Sequence, residues 1–274
     1  MSAAKTGKRG RGKKSSSGLA LVTGASAGIG LALAQRFAAG GHDLLLVSRS
    51  GGKLADIAAE ISQQHGVKCD WIAADLQRPE APEAIFEEAD RRGFEVDILI
   101  NNAGVLWEGA FAEIPLEKQL GLLQLNIAAA TELMHRFLPP MQQRKRGRIL
   151  NVCSTSSFNP VPSLATYAAS KAYLLSLSEA LSLELRGSGV TVTALCPGFT
   201  ETAMIAQDGR KPMSLPLVPN MTPEQVADEA FDACMAGQAV RINGLMNRLA
   251  VESTRRSPLW LRREMIALME KWGV

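Results

Sequence analysis

From residue 19 onward, short continuous apolar runs alternate with longer stretches in which apolar residues recur every three to four positions. Residues 19–22 form the first run, closed by Thr23 and Gly24. A helical pattern then begins near Gly28 and carries Ile29, Leu31, Leu33, Ala34 and Phe37 to a stop at Gly40 and Gly41. Runs at 44–47, 67–73, 96–100, 148–153, 190–195 and 239–242 repeat the strand signature. Helices are predicted between them, over about 53–64, 82–89, 116–141 and 165–185. Strands apolar on both faces and separated by helices predict a parallel sheet covered on each side. No repeat or linker interrupts the alternation, so residues 19–274 read as one α/β domain with a doubly wound parallel sheet of about seven strands.

The pattern changes after Pro197. Residues 200–220 mix Gly, Pro, Met and polar side chains without a period, as expected of a segment closing over a site. Thr222, Pro223 and Gln225 then announce a helix: a cap, a proline in the first turn and a glutamine reaching back. An apolar stripe of Leu261, Met265, Ile266, Leu268, Met269 and Trp272 predicts a last helix over 257–272. That stripe is read first as core, then as a subunit contact, and last as a surface that lies on lipid.

Charge changes the picture only at one end. Residues 1–18 hold six basic side chains, Lys5, Lys8, Arg9, Arg11, Lys13 and Lys14, and no acid, while the body has 24 basic against 27 acidic residues. A basic body built for nucleic acid is therefore not indicated. The first 18 residues read as a disordered, solubilising tail, with contact to nucleic acid or anionic membrane as the alternative. No apolar run follows the basic start as a secretory signal requires, and none has the length of a membrane span. The four cysteines, Cys69, Cys153, Cys196 and Cys234, lack metal-site spacing. They are expected to be reduced thiols of a cytoplasmic protein, and no metal is expected.

Candidate chemistry begins at the first strand–helix junction, Thr23-Gly-Ala-Ser-Ala-Gly-Ile-Gly30. Glycines permit a sharp turn and close approach of backbone to a pyrophosphate, and the helix dipole favours its charge. The Lys-Ser/Thr ending of a nucleoside-triphosphate loop is missing, which argues against an ATPase or GTPase. After the second strand, an NAD site normally offers a carboxylate. This chain has Ser48, Arg49 and Ser50, with Lys53 one turn on, and a guanidinium suits the extra phosphate of NADP. Arg49 also reads as an ordinary solvated residue. Asp75 is placed either for an adenine edge or to cap its own turn. Tyr167 and Lys171 lie four apart on one helix face, and an ammonium beside a phenol stabilises the phenolate.

Taken together, TGASAGIG at 23–30, DL at 75–76, NNAG at 101–104, Asn126, Ser154, YAASK at 167–171 and PGFTET at 197–202 resemble the classical short-chain dehydrogenase/reductase family. The resemblance covers most of residues 19–202 and is closest to a bacterial-type branch of undefined substrate. It implies a Rossmann fold and a catalytic set of Asn126, Ser154, Tyr167 and Lys171. Tyr167 is then the proton donor and acceptor, Lys171 its modulator and ribose ligand, Ser154 the group polarising the substrate oxygen, and Asn126 the holder of a relay water. For the cofactor it implies Gly24, Ser26, Gly28, Ile29 and Gly30 around adenosine and pyrophosphate, and Asp75 and Leu76 near the adenine. Asn102, Ala103 and Gly104 fall beside the ribose and adenine, with Pro197, Gly198 and Thr202 at the nicotinamide end.

Many NADP-using members carry a basic residue where this chain has Ala27, so Arg49 carries most of the expected choice of NADP(H) over NAD(H). Trp107, Phe158, Val161, Phe199 and Met204 predict an apolar pocket for a bulky carbonyl or alcohol. Steroid dehydrogenases and oxoacyl reductases share this catalytic set, so the motifs select neither. The resemblance also implies a homodimer or homotetramer. The alternatives are a non-catalytic dinucleotide-binding regulator or scaffold, and the same enzyme tethered through its basic tail.

Overall fold

The computed structural model describes residues 17–200 and 220–258. The basic tail, the segment holding Thr202 and Met204, and most of the helix expected over 257–272 lie outside them. Seven strands form one parallel sheet: β1 (Leu19–Thr23), β2 (Asp43–Ser48), β3 (Cys69–Ala73), β4 (Val96–Asn101), β5 (Gly147–Val152), β6 (Val190–Cys196) and β7 (Val240–Ile242). Their order is β3-β2-β1-β4-β5-β6-β7. The crossovers therefore run one way from β1 and the other way from β4, the Rossmann arrangement in which a crevice opens at the strands' carboxyl ends. Helices α1 (Gly28–Ala39), α2 (Gly51–His65), α3 (Ala81–Arg91), α4 (Leu116–Leu123), α5 (Ala130–Gln143), α6 (Ala165–Glu184), α7 (Pro223–Met235) and α8 (Leu245–Arg256) complete the described chain.

Strand alternation divides the core in two. Leu21, Leu45, Val47, Leu99, Ile149 and Val192 point to one face, where α3, α5 and α6 cover them. Val22, Leu44, Leu46, Ile98, Ile100, Leu150 and Leu195 point to the other, against α1, α2 and α7. A side chain of this size contributes about 1.5–3 kcal/mol when fully buried, and a central strand collects that on both faces. This is why the runs read as unbroken apolar stretches. Cys153, Cys196 and Cys234 are buried and Cys69 half-buried, all four as free thiols. Burial pushes Cys69 and Cys234 up to about 12, so neither is a ready nucleophile.

Three departures from the sequence pattern matter for the site. The helix expected over 116–141 is interrupted by a π-helical turn, Gln124–Ala129, which contains Asn126. The apolar periodicity runs through it unbroken, so only the side-chain anchoring of Asn126 described below marks the place. Second, α8 was not anticipated. It buries only Asn247 and Val251, so it has no apolar stripe to read, and it starts at Gly244, whose φ of 76° suits glycine. Third, the helix expected from 257 does not begin there, because Ser257 ends α8 in extended backbone.

The expected cap is formed in full. Thr222 accepts from the Gln225 amide, and the Gln225 side chain accepts from the Thr222 amide. Thr222→Ala is expected to cost about 1 kcal/mol, and Leu45→Ala about 2–5 kcal/mol, in chemical denaturation.

Candidate functional site

The site forms where the crossovers diverge, at the ends of β1 and β4. The Thr23 hydroxyl donates to the Ile100 carbonyl at 3.2 Å and accepts from the Asn102 and Ala103 amides, each at 3.0 Å. The Asn102 side chain returns a bond to the Thr23 carbonyl at 2.9 Å. These contacts draw the glycine turn so close to β4 that side chains are excluded. A Cβ on Gly30 would lie 2.2 Å from the Gly24 carbonyl oxygen, and one on Gly24 2.8 Å from the Asn102 side-chain nitrogen. Gly24 and Gly28 also hold φ of 67° and 54°, a region costly for other residues.

A dinucleotide fits this cradle. No side chain caps the N-terminus of α1, and its first turn carries no acid, so its free N–H groups suit a pyrophosphate. Ser26 and Ile29 are partly exposed on the turn. At the end of β2, Arg49 and Ser50 are exposed and the first turn of α2 has no acid either. Asp75 accepts from the Gln77 amide at 3.1 Å and so caps its own turn, while Leu76 is buried beneath it.

The residues expected to act chemically converge on the neighbouring strand ends. Ser154 follows β5 and heads a short 3-10 turn, Thr155–Phe158, where its hydroxyl accepts from the Ser156 amide at 3.1 Å. The Tyr167 phenol lies in the first turn of α6, close enough to the Ser154 side chain to feel it. Burial pushes that phenol up to about 12, and Ser154 acts in the opposite direction. A phenol is protonated at neutral pH in any case, so Tyr167 stands there as an acid. The expected downward pull from Lys171 does not dominate: its ammonium lies 5.8 Å from the Tyr167 ring centre and donates to the Val152 carbonyl at 2.7 Å. Burial lowers the pKa of Lys171 itself.

Asn126 is buried, with its side chain fully engaged. Its oxygen accepts from the Val105 amide at 3.0 Å; its nitrogen donates to the Val105 carbonyl at 3.0 Å and to the Ser170 hydroxyl at 3.1 Å. The side chain ties α6 and the post-β4 loop to the π-helical turn, a place where irregular helix frequently marks function. Gly104 separates Asn126 from Lys171: a Cβ there would lie 3.2 Å from the Asn126 oxygen and 3.5 Å from the Lys171 nitrogen. Pro197 is buried and its carbonyl accepts from the Thr155 amide at 2.9 Å, joining the loops after β5 and β6.

Two contributors were given no role by the motifs. Asn247 of α8 occupies the space a side chain at Gly198 would need, 2.4 Å from a Cβ built there. Beneath the site, Asn101 donates to Asn151 at 2.9 Å and Asn151 donates to the Ser178 hydroxyl at 2.8 Å, pinning β4, β5 and α6 together. The paired asparagines at the strand ends were the available signal.

The short chain dehydrogenase family profile matches residues 18–212. This chain belongs to that family. As a short-chain dehydrogenase it is 40% identical over 188 residues to the granaticin polyketide synthase putative ketoacyl reductase 1 of Streptomyces violaceoruber, covering 68% of this chain and 69% of that one. It is 37% identical over 189 residues to the inactive hydroxysteroid dehydrogenase-like protein 1 of Homo sapiens, covering 68% of this chain. The match spans only 57% of the length of that relative. In three dimensions the chain resembles the short-chain dehydrogenase from Sphingobium yanoikuyae in complex with NADPH. The TM-score is 0.77 at 34% identity, over 87% of this chain and 94% of that one.

The cradle leads to a direct test. Gly30→Ala must displace backbone at the first turn, with strain of about 1–3 kcal/mol. Dinucleotide titration calorimetry should show binding lost by a corresponding margin, while a control away from the cradle, Gly121→Ala, whose added Cβ meets nothing closer than 3.8 Å, should bind normally.

Proposed function

We propose that this short-chain dehydrogenase moves a hydride between NADP(H) and a bulky or apolar ketone, aldehyde or secondary alcohol. The observation that carries the reading is the Tyr167 phenol placed within reach of Ser154, with the Lys171 ammonium 5.8 Å from its ring centre. A bound nicotinamide supplies the hydride. Ser154 offers its hydroxyl proton to the substrate oxygen and so stabilises negative charge growing there. Tyr167 delivers its own proton to that oxygen during reduction and recovers it during oxidation. The buried Lys171 charge favours the phenolate left behind, and its bond to Val152 holds it in place. Asn126 holds the loop and helix that frame these groups.

Arg49 supports the choice of NADP(H), since a guanidinium pairs with a phosphate that a carboxylate would repel. Trp107, Phe158, Val161 and Phe199, all partly buried, support an apolar substrate. The NADPH-bound neighbour supports the cofactor, and the relative named a putative ketoacyl reductase supports a carbonyl substrate. Leu116 and Leu120 on α4, with Tyr173 and Leu183 on α6, are large exposed apolar side chains suited to a second copy of this chain. A second reading, a dinucleotide-binding protein without turnover, is favoured by the human relative named inactive.

Two measurements separate these readings. In a ketone screen followed at the nicotinamide absorbance, Tyr167→Phe should lower kcat by about 10²–10⁴ while keeping NADPH affinity; wild-type protein that binds NADPH and reduces nothing would favour the second reading. Arg49→Asp should weaken NADPH by about 1.5–3 kcal/mol, the worth of a charged hydrogen bond, and leave NADH almost unchanged. Equal losses for both would overturn the cofactor choice.

A further inference from the structure

The loop between β4 and α4 is tied at two points to the segment that leads into α6 and carries Tyr167 in its first turn. The first joint is backbone: the Gly109 amide donates to the Ser163 carbonyl at 2.9 Å. Ser163 holds φ of 60°, a conformation other than glycine's usual partners avoid and one that persists only where surroundings impose it.

The second joint is Gln119. It stands on α4 with 6% of its surface exposed. Its nitrogen donates to the Phe111 carbonyl at 2.9 Å, within the β4–α4 loop. Its oxygen accepts from the Thr166 hydroxyl, in the first turn of α6 and next in sequence to Tyr167. A buried amide left half-bonded is penalised by desolvation, so one side chain satisfies both ends only when loop and helix hold a fixed relative position. The neighbouring Lys118 folds the same loop back on α4, its ammonium 4.2 Å from the Trp107 ring centre.

We propose that Gln119 is a positioning residue that couples the β4–α4 loop to the first turn of α6, so that Tyr167 is aligned when that loop is seated. The loop carries Trp107, from the apolar wall. Contact made by a substrate on the loop is thereby transmitted to the proton donor. The coupling itself is independent of the reaction; only its catalytic consequence rests on the function proposed above.

The test uses Thr166→Val, Gln119→Met and Thr166→Ser in the full chain, with NADPH binding as the check on folding. Amide hydrogen exchange is read separately over residues 105–115 and 165–172. Thr166→Val should speed exchange in 105–115 about tenfold, although its lost bond is to Gln119 and not to the loop. Thr166→Ser, which keeps the hydroxyl, should restore wild-type protection. Faster exchange confined to 165–172 would overturn the coupling. With a bulky aryl ketone and NADPH, Thr166→Val and Gln119→Met should each lower kcat about tenfold with less than a twofold change in NADPH affinity. The double variant should lose no more than either single one, as expected of one shared interaction. Multiplicative losses, or an unchanged kcat, would count against the proposal. A wild-type chain that reduces no ketone refutes the function proposed above, while the exchange measurement still decides the coupling.

Discussion

The close approach of two strand ends is the constraint on which the rest depends. β1 and β4 are neighbours in the sheet although their crossovers leave in opposite directions. At their ends the Thr23 hydroxyl serves one carbonyl and two amides at once. That leaves no room for a side chain at Gly30 or Gly24, and the space so denied to protein is what a pyrophosphate uses. The polar groups are paired before any ligand arrives, so ligand binding does not have to pay for ordering them.

The chemical half of the site is built by a different device, the anchoring of irregular segments by buried amides. Asn126 bonds both backbone groups of Val105 and the Ser170 hydroxyl. Asn151 links β4 to α6 through Asn101 and Ser178. In a low-dielectric interior such bonds are strong when complete and costly when broken. They fix the orientation of Tyr167 and Lys171 more narrowly than apolar packing alone. Burial makes the phenol a weaker acid than it is in water, while Ser154 acts against that shift.

What the sequence made legible follows from this division. The central strands were readable because each is buried on both faces, and the Thr222 cap because its chemistry is local. Tyr167, Ser154 and the glycine turn were readable as spaced motifs and do come together. The π-helical turn left no trace because an extra residue in one turn does not disturb an apolar pattern averaged over several. Helix α8 was missed because it touches the body through Asn247 and Val251 rather than an apolar stripe. Gln119 was invisible for a related reason: its two partners, Phe111 and Thr166, are 8 and 47 residues away, and nothing in a polar side chain's identity announces such a span. Lys171 was found but its direct partner was not, since a backbone carbonyl carries no sequence signature.

The π-helical turn at Gln124–Ala129 has a geometric consequence for how such a chain tolerates change. Each residue of α-helix advances about 100° around its axis. A single wide turn takes up one extra residue locally, whereas adding a residue to a regular helix would swing α4 by about that angle relative to α5. Gln119 and Leu122 would then leave the interior, while α5 kept its seat on the sheet. The wide turn thus absorbs a phase shift between two surfaces. It lets the segment facing the opening drift in sequence under requirements of its own, without disturbing the packing that holds the sheet together.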